Sequence, residues 1–493
     1  MTARFKSHVR NYAWAEVAIM AAGLVSFPVL TRLLSVADYG VMNLVTSVLT
    51  LMVALGKLGV QHAALRGWAE VAAGKSHHDA VTFESTVLLG MATTGLLVTF
   101  IWAVVSGFIP EDWWATAHVS GVMLLSAPLI AVRVLDSALL NQLRAQERSA
   151  AMAWYTMLRR YAALLAVVGV LWFVSRSVKA FYLATLVVEL LAVVVLLSWL
   201  YRRSPRPSLQ HFSKPLYGSL LLFGVPMLGS ELAVVVLTLG DRFIIQTHLD
   251  AESLGIYAAS WNMCDLMRNA LMGAMVGAAY PRCMHVWEQG GAAALRDFLT
   301  RFLHWYVVVA AGMVAWMTVL GGELMSVLAS AKYARGGEFT GWLMAGLAVQ
   351  SVISVAAVGL YLAKQTGIAL VLVTMAGLLS LLSNYLLVPR LGLQGAAVAV
   401  LIVSVVLCAA QMMMARRTAP VVVPWRSLLR SGLAACAAGW LTTRVELDVL
   451  WQDLIVRSML LAFLYLALVM LLDVEARGKV TQTLRAFRAT FAR

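Results

Sequence analysis

Apolar runs of about 20 residues recur along the whole chain without alternating polar and apolar positions, and this pattern constrains the fold more than any other feature. A helix of that length rises about 30 Å, the depth of a bilayer's hydrocarbon core. Backbone amides in lipid need partners within the protein, which leaves helices or closed barrels. Barrel strands alternate in polarity and these runs do not, so the chain is expected to be helical. Of its 493 residues, 61% are hydrophobic and 13% charged, with a mean hydropathy of +0.83. Soluble domains carry about 25% charged residues, so this surface could not be covered in water. The expected fold class is an all-α polytopic membrane protein of about fourteen transmembrane helices. The spans are read at 13–34, 39–60, 82–108, 115–138, 152–174, 179–201, 216–245, 254–280, 299–320, 339–363, 366–388, 393–415, 427–443 and 453–473.

An even number of spans puts both termini on one side, and charge says which. Lys and Arg in connections concentrate on the side of the N-terminus: Arg66 and Lys75, Arg144 and Arg148, Arg202, Arg203, Arg206 and Lys214, then Arg282, Arg296, Arg301, Arg416 and Arg417. The opposite side holds Glu111, Asp112, Glu446, Asp448 and Asp453. Both termini are therefore expected to be cytoplasmic, in a bacterial inner membrane. The net charge of +14 is read as this orientation signal rather than as nucleic-acid binding. Arg4, Lys6 and Arg10 precede an apolar run, as in a signal peptide. Glu16 interrupts that run, which then continues to Leu34, so the first helix is expected to stay uncleaved. The four cysteines, Cys264, Cys283, Cys408 and Cys436, are far apart and indicate neither a disulfide framework nor a metal site. The 476–493 tail, with Arg477, Lys479, Arg485 and Arg488, reads either as an amphipathic helix on the anionic leaflet or as a frayed basic end.

Two segments half a chain apart are alike. Thr31-Arg-Leu-Leu-Ser-Val-Ala-Asp-Tyr-Gly-Val spans the first turn between helices, and Asp241-Arg-Phe-Ile-Ile with Leu249-Asp-Ala-Glu-Ser-Leu-Gly-Ile-Tyr257 spans the seventh. Arg32 answers Arg242 and Gly40 answers Gly255. Six helices separate the copies, so they run the same way through the membrane, as in a parallel repeat of two lobes with a binding site between them. The expected division is an N-terminal six-helix lobe (1–204), a second six-helix lobe (205–418), an additional helix pair (419–475) and the basic tail (476–493).

These two segments and Val388-Pro-Arg-Leu-Gly-Leu-Gln-Gly-Ala-Ala397 resemble the polysaccharide transporter family, the Wzx-type flippases of the multidrug/oligosaccharidyl-lipid/polysaccharide exporter superfamily. The resemblance implies two six-helix lobes plus a final helix pair. It also implies movement of undecaprenyl-diphosphate-linked oligosaccharide from the cytoplasmic to the periplasmic leaflet for exopolysaccharide, capsule or O-antigen synthesis. Membrane lipid and a polysaccharide polymerase or export complex are the partners it implies, with no cofactor beyond coupling to H+ or Na+. The related lipid II flippases place the prenyl tail in an apolar groove on their last two helices; here Arg457 interrupts the second of that pair.

Such cargo carries hydroxyls and a diphosphate whose desolvation costs several kcal/mol per group, about 2–7 for a hydroxyl alone. A flippase must therefore offer polar, partly cationic groups inside its helices, where each ionisable residue costs roughly 2.5–3.5 kcal/mol at the centre. The candidates are Glu231 in the seventh helix, Asp265 and Arg268 in the eighth, and Arg133 and Asp136 in the fourth. Lys57 lies late in the second helix, Arg159 and Arg160 in the fifth, and Glu16 early in the first. Both pairs at i, i+3 share a helix face and can pair locally. Arg268 is the leading diphosphate ligand, because guanidinium matches phosphate geometry, and Glu231 is the candidate for a coupling proton. Arg32 and Arg242 fit a structural role at the repeated turn. Glu84 and Glu189 read as structural or interfacial, and Pro28, Pro128 and Pro226 as bending points. The alternatives are a lipid II-type flippase, a drug/cation antiporter of the same superfamily, or a membrane polysaccharide polymerase or ligase. No GxSxG, HExxH or P-loop is present, and His62, His77 and His78 are too loosely arranged for a metal site, so no enzyme is expected.

Overall fold

The computed structural model describes residues 3–110, 119–202, 205–416, 418, 421–473 and 477–478. Glu111, Asp112, Trp113, Trp114, Arg203, Arg417 and the tail from 479 lie outside the described residues. Every described element is helical. By packing, the chain divides into two compact units, Met1–Ala258 and Ala259–Arg493. The lobe limits at 204 and 418 belong to the repeat, a symmetry argument that packing does not address.

The first unit contains α1 (Ala3–Leu33), α2 (Val36–Lys57), α3 (Val60–Ala72), α4 (Ala80–Phe108), α5 (Val119–Ser126), α6 (Pro128–Ala145), α7 (Ser149–Phe173), α8 (Val178–Leu200) and α9 (Lys214–His248). It also includes the first turns of α10 (Ala251–Arg268). Short polar residues start several of these helices. The Ser35 side chain accepts from the Asp38 N–H at 3.0 Å and Asp79 from the Thr82 N–H at 3.3 Å, each satisfying a donor that the helix leaves open. Pro128 occupies the first turn of α6 and separates it from α5, so the fourth predicted span is two helices end to end. The loop expected after the second span is instead the helix α3, because Leu58 (φ 47) and Gly59 (φ 70) turn the chain without ending its helical course. Helix α2 packs on α4, α6 and α9, and its residues are largely buried. Helix α7, packed on α1 and α8, shows Trp154, Leu158, Leu165 and Trp172 on its outer face, as a lipid-facing helix does.

In the second unit α10 gives way to a π-helical turn, Asn269–Gly273, then α11 (Ala274–Leu328). Helix α11 is broken at Gly291, whose φ of 62° a side chain rarely adopts. The eighth and ninth predicted spans lie on either side of this break. Then come α12 (Gly337–Ala356), α13 (Val358–Leu362), α14 (Thr366–Leu391), α15 (Leu393–Ala415), α16 (Trp425–Thr442) and α17 (Leu450–Leu472). Among the described residues, twelve helical runs are long and apolar enough to cross a membrane, and the run 251–328 holds two of the predicted spans. Helix α16 is not among the twelve, since Arg426 and Arg430 in its first turns lower its hydropathy. Counting it and both parts of the long run, each of the fourteen predicted spans corresponds to helix.

The α16–α17 pair is fastened to α11. Ala434, Ala435 and Ala438 meet Val308 and Ala315, and small residues there let the helices approach closely. The Tyr465 hydroxyl donates to the Val308 carbonyl at 2.5 Å and the Trp316 indole to Ser458 at 2.9 Å.

Candidate functional site

The similar segments in the first unit meet reciprocally. A Cβ at Gly40 in α2 would fall on the Ala251 carbonyl oxygen of α10, and one at Gly255 would fall on that of Val36. In each segment it is the glycine, Gly40 or Gly255, that lets the two helix backbones come together. Each also begins with an N-cap, Ser35 and Asp250. The neighbouring Arg242 and Asp241 are 4% and 3% exposed. Arg242 bonds the Asp241 carboxylate at 3.1 Å and the Thr238 carbonyl at 2.9 Å, and the Tyr257 hydroxyl donates to Asp241. Arg32 is exposed and donates back to the Pro28 carbonyl at 3.3 Å. Both arginines sit at the repeated turn.

At the other end of α2 a second close approach occurs, between Gly59 and Gly224 of α9, whose backbones would collide with any side chain there. Beside it, Lys57 pairs with Glu231 of α9, and the Gln61 amide donates to the other Glu231 oxygen at 2.8 Å. Lys57 and Glu231 are 17% and 24% exposed. The Glu231 carboxylate of α9 is thus held by a cation at the end of α2 and an amide at the start of α3, a polar clasp between these helices.

A second network joins α6, α7 and α8, and here the structure corrects the expected local pairing. Arg133 and Asp136, three apart on α6, do not pair with each other. Arg133 makes a two-pronged contact with Glu189 of α8, at 2.9 and 3.0 Å. Asp136 pairs with Arg159 of α7 and accepts from the Tyr155 hydroxyl at 2.5 Å. Packing brings Glu189 and Arg159 within reach from the facing helices, and the planar guanidinium fork of Arg133 takes both Glu189 oxygens. Glu189 thus belongs with the predicted group, while Glu84 bonds the Gln146 amide at 2.8 Å. Arg160 and Glu16 are exposed on α7 and α1.

In the second unit Arg268 and Asp265 do pair within α10. Arg268 also donates to the Ser351 hydroxyl at 3.1 Å, while its buried Nε–H has no hydrogen-bond partner among the described residues. Asp265 is 36% exposed and accepts from Asn269 at 3.0 Å, at the start of the π turn. Single π turns interrupt helices frequently at functional sites. An arginine with a spare donor and a carboxylate partner at the accessible edge can trade that partner for an incoming phosphate.

Arg457 of α17 turns inward to Asp453 at 3.0 Å and Glu323 of α11 at 2.9 Å. It therefore leaves the outer face of the last pair apolar, with Leu429, Leu433, Met459 and Phe463 exposed. Glu323 lies beyond the ninth predicted span, which ends at 320, whereas the helix continues to Leu328. Gln61, Tyr155 and Ser351 were missed as neutral residues; helical spacing from Lys57 and Arg159 was the signal for the first two.

A family described as "Polysaccharide biosynthesis protein" matches residues 29–336. No curated protein sequence matches the chain. Among solved structures, it is similar to the lipid II flippase MurJ in an inward closed conformation, with a TM-score of 0.75 at 13% identity, covering 93% of this chain and 98% of that one. An inward-facing multidrug resistance MATE family transporter of the MOP superfamily matches with a TM-score of 0.64 at 13% identity, covering 81% and 94%. MATE in the straight conformation matches with a TM-score of 0.56 at 13% identity, covering 84% and 96%. The fold is therefore of the MurJ and MATE type.

Proposed function

Because the chain belongs to the polysaccharide biosynthesis protein family, we propose that it is a flippase carrying undecaprenyl-diphosphate-linked oligosaccharide units from the cytoplasmic to the periplasmic leaflet of a bacterial inner membrane. Both termini are cytoplasmic in this reading, in keeping with the basic connections on the side of the N-terminus. The prenyl tail stays in lipid while the diphosphate and sugars follow a polar path lined by ionisable residues, and no covalent step is required. The observation that carries the reading is Arg268, a cation where α10 meets the π turn, whose buried Nε–H has no partner among the described residues and whose carboxylate partner is 36% exposed. An unsatisfied buried donor costs about 1–3 kcal/mol, which a phosphate oxygen would remove. Arg133, Asp136, Arg159 and Arg160 form a second cationic stretch, with Glu16 exposed on α1. Lys57 and Glu231 regulate passage as this clasp opens and closes, with Glu231 the candidate for a coupling proton and H+ or Na+ the coupling ion. Arg32 and Arg242 hold the turns of the repeat. A polymerase or export complex would take up the product.

The test is Arg268→Ala in cells that depend on this chain for surface polysaccharide. The variant is expected to insert normally, to abolish export and to accumulate lipid-linked units in the inner leaflet. Arg268→Lys, a point charge without the fork, is expected to restore export only in part. Undiminished export from Arg268→Ala would remove Arg268 from the site.

A further inference from the structure

Past Gly291, the first two turns of the second half of α11 turn one polar face outward. Ala293, Arg296, Asp297, Thr300 and Arg301 recur at helical spacing and line, with Val422, a cleft of about 590 Å³. A polar stripe on a membrane helix next to an open cleft is not a packing surface. Arg301 donates its Nε–H to the Asp297 carbonyl at 3.2 Å, and Thr300 bonds the Arg296 carbonyl at 2.8 Å. Among the described residues, neither arginine is in an ion pair. Both side chains are exposed, and with Asp297 they leave the cleft with an excess of one positive charge.

The surroundings place this cleft at the membrane surface. His304, one turn further along α11, bonds the Ser427 hydroxyl of α16 at 2.7 Å, so the start of α16 lies beside the cleft. Trp425, 65% exposed, opens that helix, and tryptophan with one apolar and one polar edge settles at the headgroup level. Further along α16, Leu429 and Leu433 are each 65% exposed, an apolar track leading into the hydrocarbon region. Cationic head cavity, interfacial aromatic and exposed leucines follow one another in the order of a phospholipid's own parts.

We propose that the cleft formed by Arg296, Thr300, Arg301 and Val422 is a binding site for an anionic phospholipid of the cytoplasmic leaflet, separate from the transport path. The arginines hold the headgroup phosphate and the acyl chains lie along α16. The bound lipid anchors the Gly291 break and the α16–α17 pair at the bilayer surface. The choice of leaflet rests on the orientation proposed above; the binding itself does not, and it is read in detergent, where no orientation exists.

The experiment is native mass spectrometry of the delipidated full chain with added phosphatidylglycerol or phosphatidylethanolamine. The unaltered protein is expected to retain phosphatidylglycerol preferentially. Arg296→Gln/Arg301→Gln should lower that retention at least tenfold, given about fivefold per basic residue near an anionic surface. Val422→Glu, which sets a like charge against the phosphate and keeps both arginines, should lower it as well, so the test survives if the double variant does not fold. Arg66→Gln/Lys75→Gln, which removes basic charge elsewhere, should leave retention unchanged. Millimolar inorganic phosphate should not displace the lipid. Equal retention by folded Arg296→Gln/Arg301→Gln or Val422→Glu, equal loss in the Arg66/Lys75 control, equal binding of both lipids, or displacement by inorganic phosphate would each overturn the proposal.

Discussion

Arg457 shows how a charge is carried inside this membrane protein. It is 8% exposed and held by Asp453 on its own helix and Glu323 on the next. Removing one member of such a group leaves the others buried without a counter-charge, which costs about 3–5 kcal/mol, whereas replacing the whole group with apolar residues is close to neutral. Arg457→Met is therefore expected to lower the melting temperature in detergent strongly, and Arg457→Met/Asp453→Leu/Glu323→Leu to recover most of the loss. Failure of the triple variant to recover would mean that the triad does more than balance charge. Glu231 differs, because its partners Lys57 and Gln61 come from the end of α2 and the start of α3, across the contact proposed above to open and close. Glu231→Gln keeps the shape and removes the charge. In vesicles with an imposed pH gradient, it is expected to abolish the dependence of transport on that gradient while leaving the protein folded.

Among the elements, glycines decide where helices touch and where they break. Gly59 and Gly291 both have positive φ, yet a Cβ at Gly59 would strike the Gly224 backbone, whereas nothing lies within 4 Å of one at Gly291. At Gly291 the φ of 62° comes with a ψ of −155°, a region essentially reserved for glycine, which costs a side chain about 1–3 kcal/mol. Gly291→Ala should then cost about that much and no more, while Gly59→Ala should cost clearly more and weaken the clasp as well; thermal unfolding of the two variants in one detergent compares them. Equal losses would show that the α2–α9 approach is loose. At Gly40 and Gly255 the same logic applies twice, since each closes on the other's helix. The hinge expected at Pro226 is placed in context by this packing: Gly224, two residues earlier, is pressed against Leu58 and Gly59, so bending α9 there also parts it from α2.

For the whole molecule, the arrangement of charge predicts which face meets which compartment. A single cysteine at Ser208, in the basic connection before α9, should be shielded in intact cells from a membrane-impermeant thiol reagent, in a background lacking the native cysteines. One at Glu446, in the acidic connection before α17, should react. The reverse result would invert the topology and with it the direction of transport proposed here. The MurJ-type fold extends over 93% of the chain. Within it, α16 and α17 are held to α11 by small-residue packing, the Tyr465 bond and the Arg457 group, so they form part of the second unit rather than an appendage.

Span number, span positions and the likeness of the two turn segments were legible in the sequence because hydropathy and helical spacing are local, additive properties of neighbouring residues. The candidate charges were legible for the same reason: an ionisable residue amid 20 apolar ones stands out wherever it finally lies. Their partners were not. Asp265 and Arg268 pair within one helix as their spacing allows, yet Arg133 and Asp136, with the same spacing, turn to Glu189 and Arg159 on other helices. Spacing says which residues can meet along a helix, but the partner is settled by competition with every carboxylate that packing brings near. That competition joins residues dozens of positions apart, and only the tertiary structure decides it.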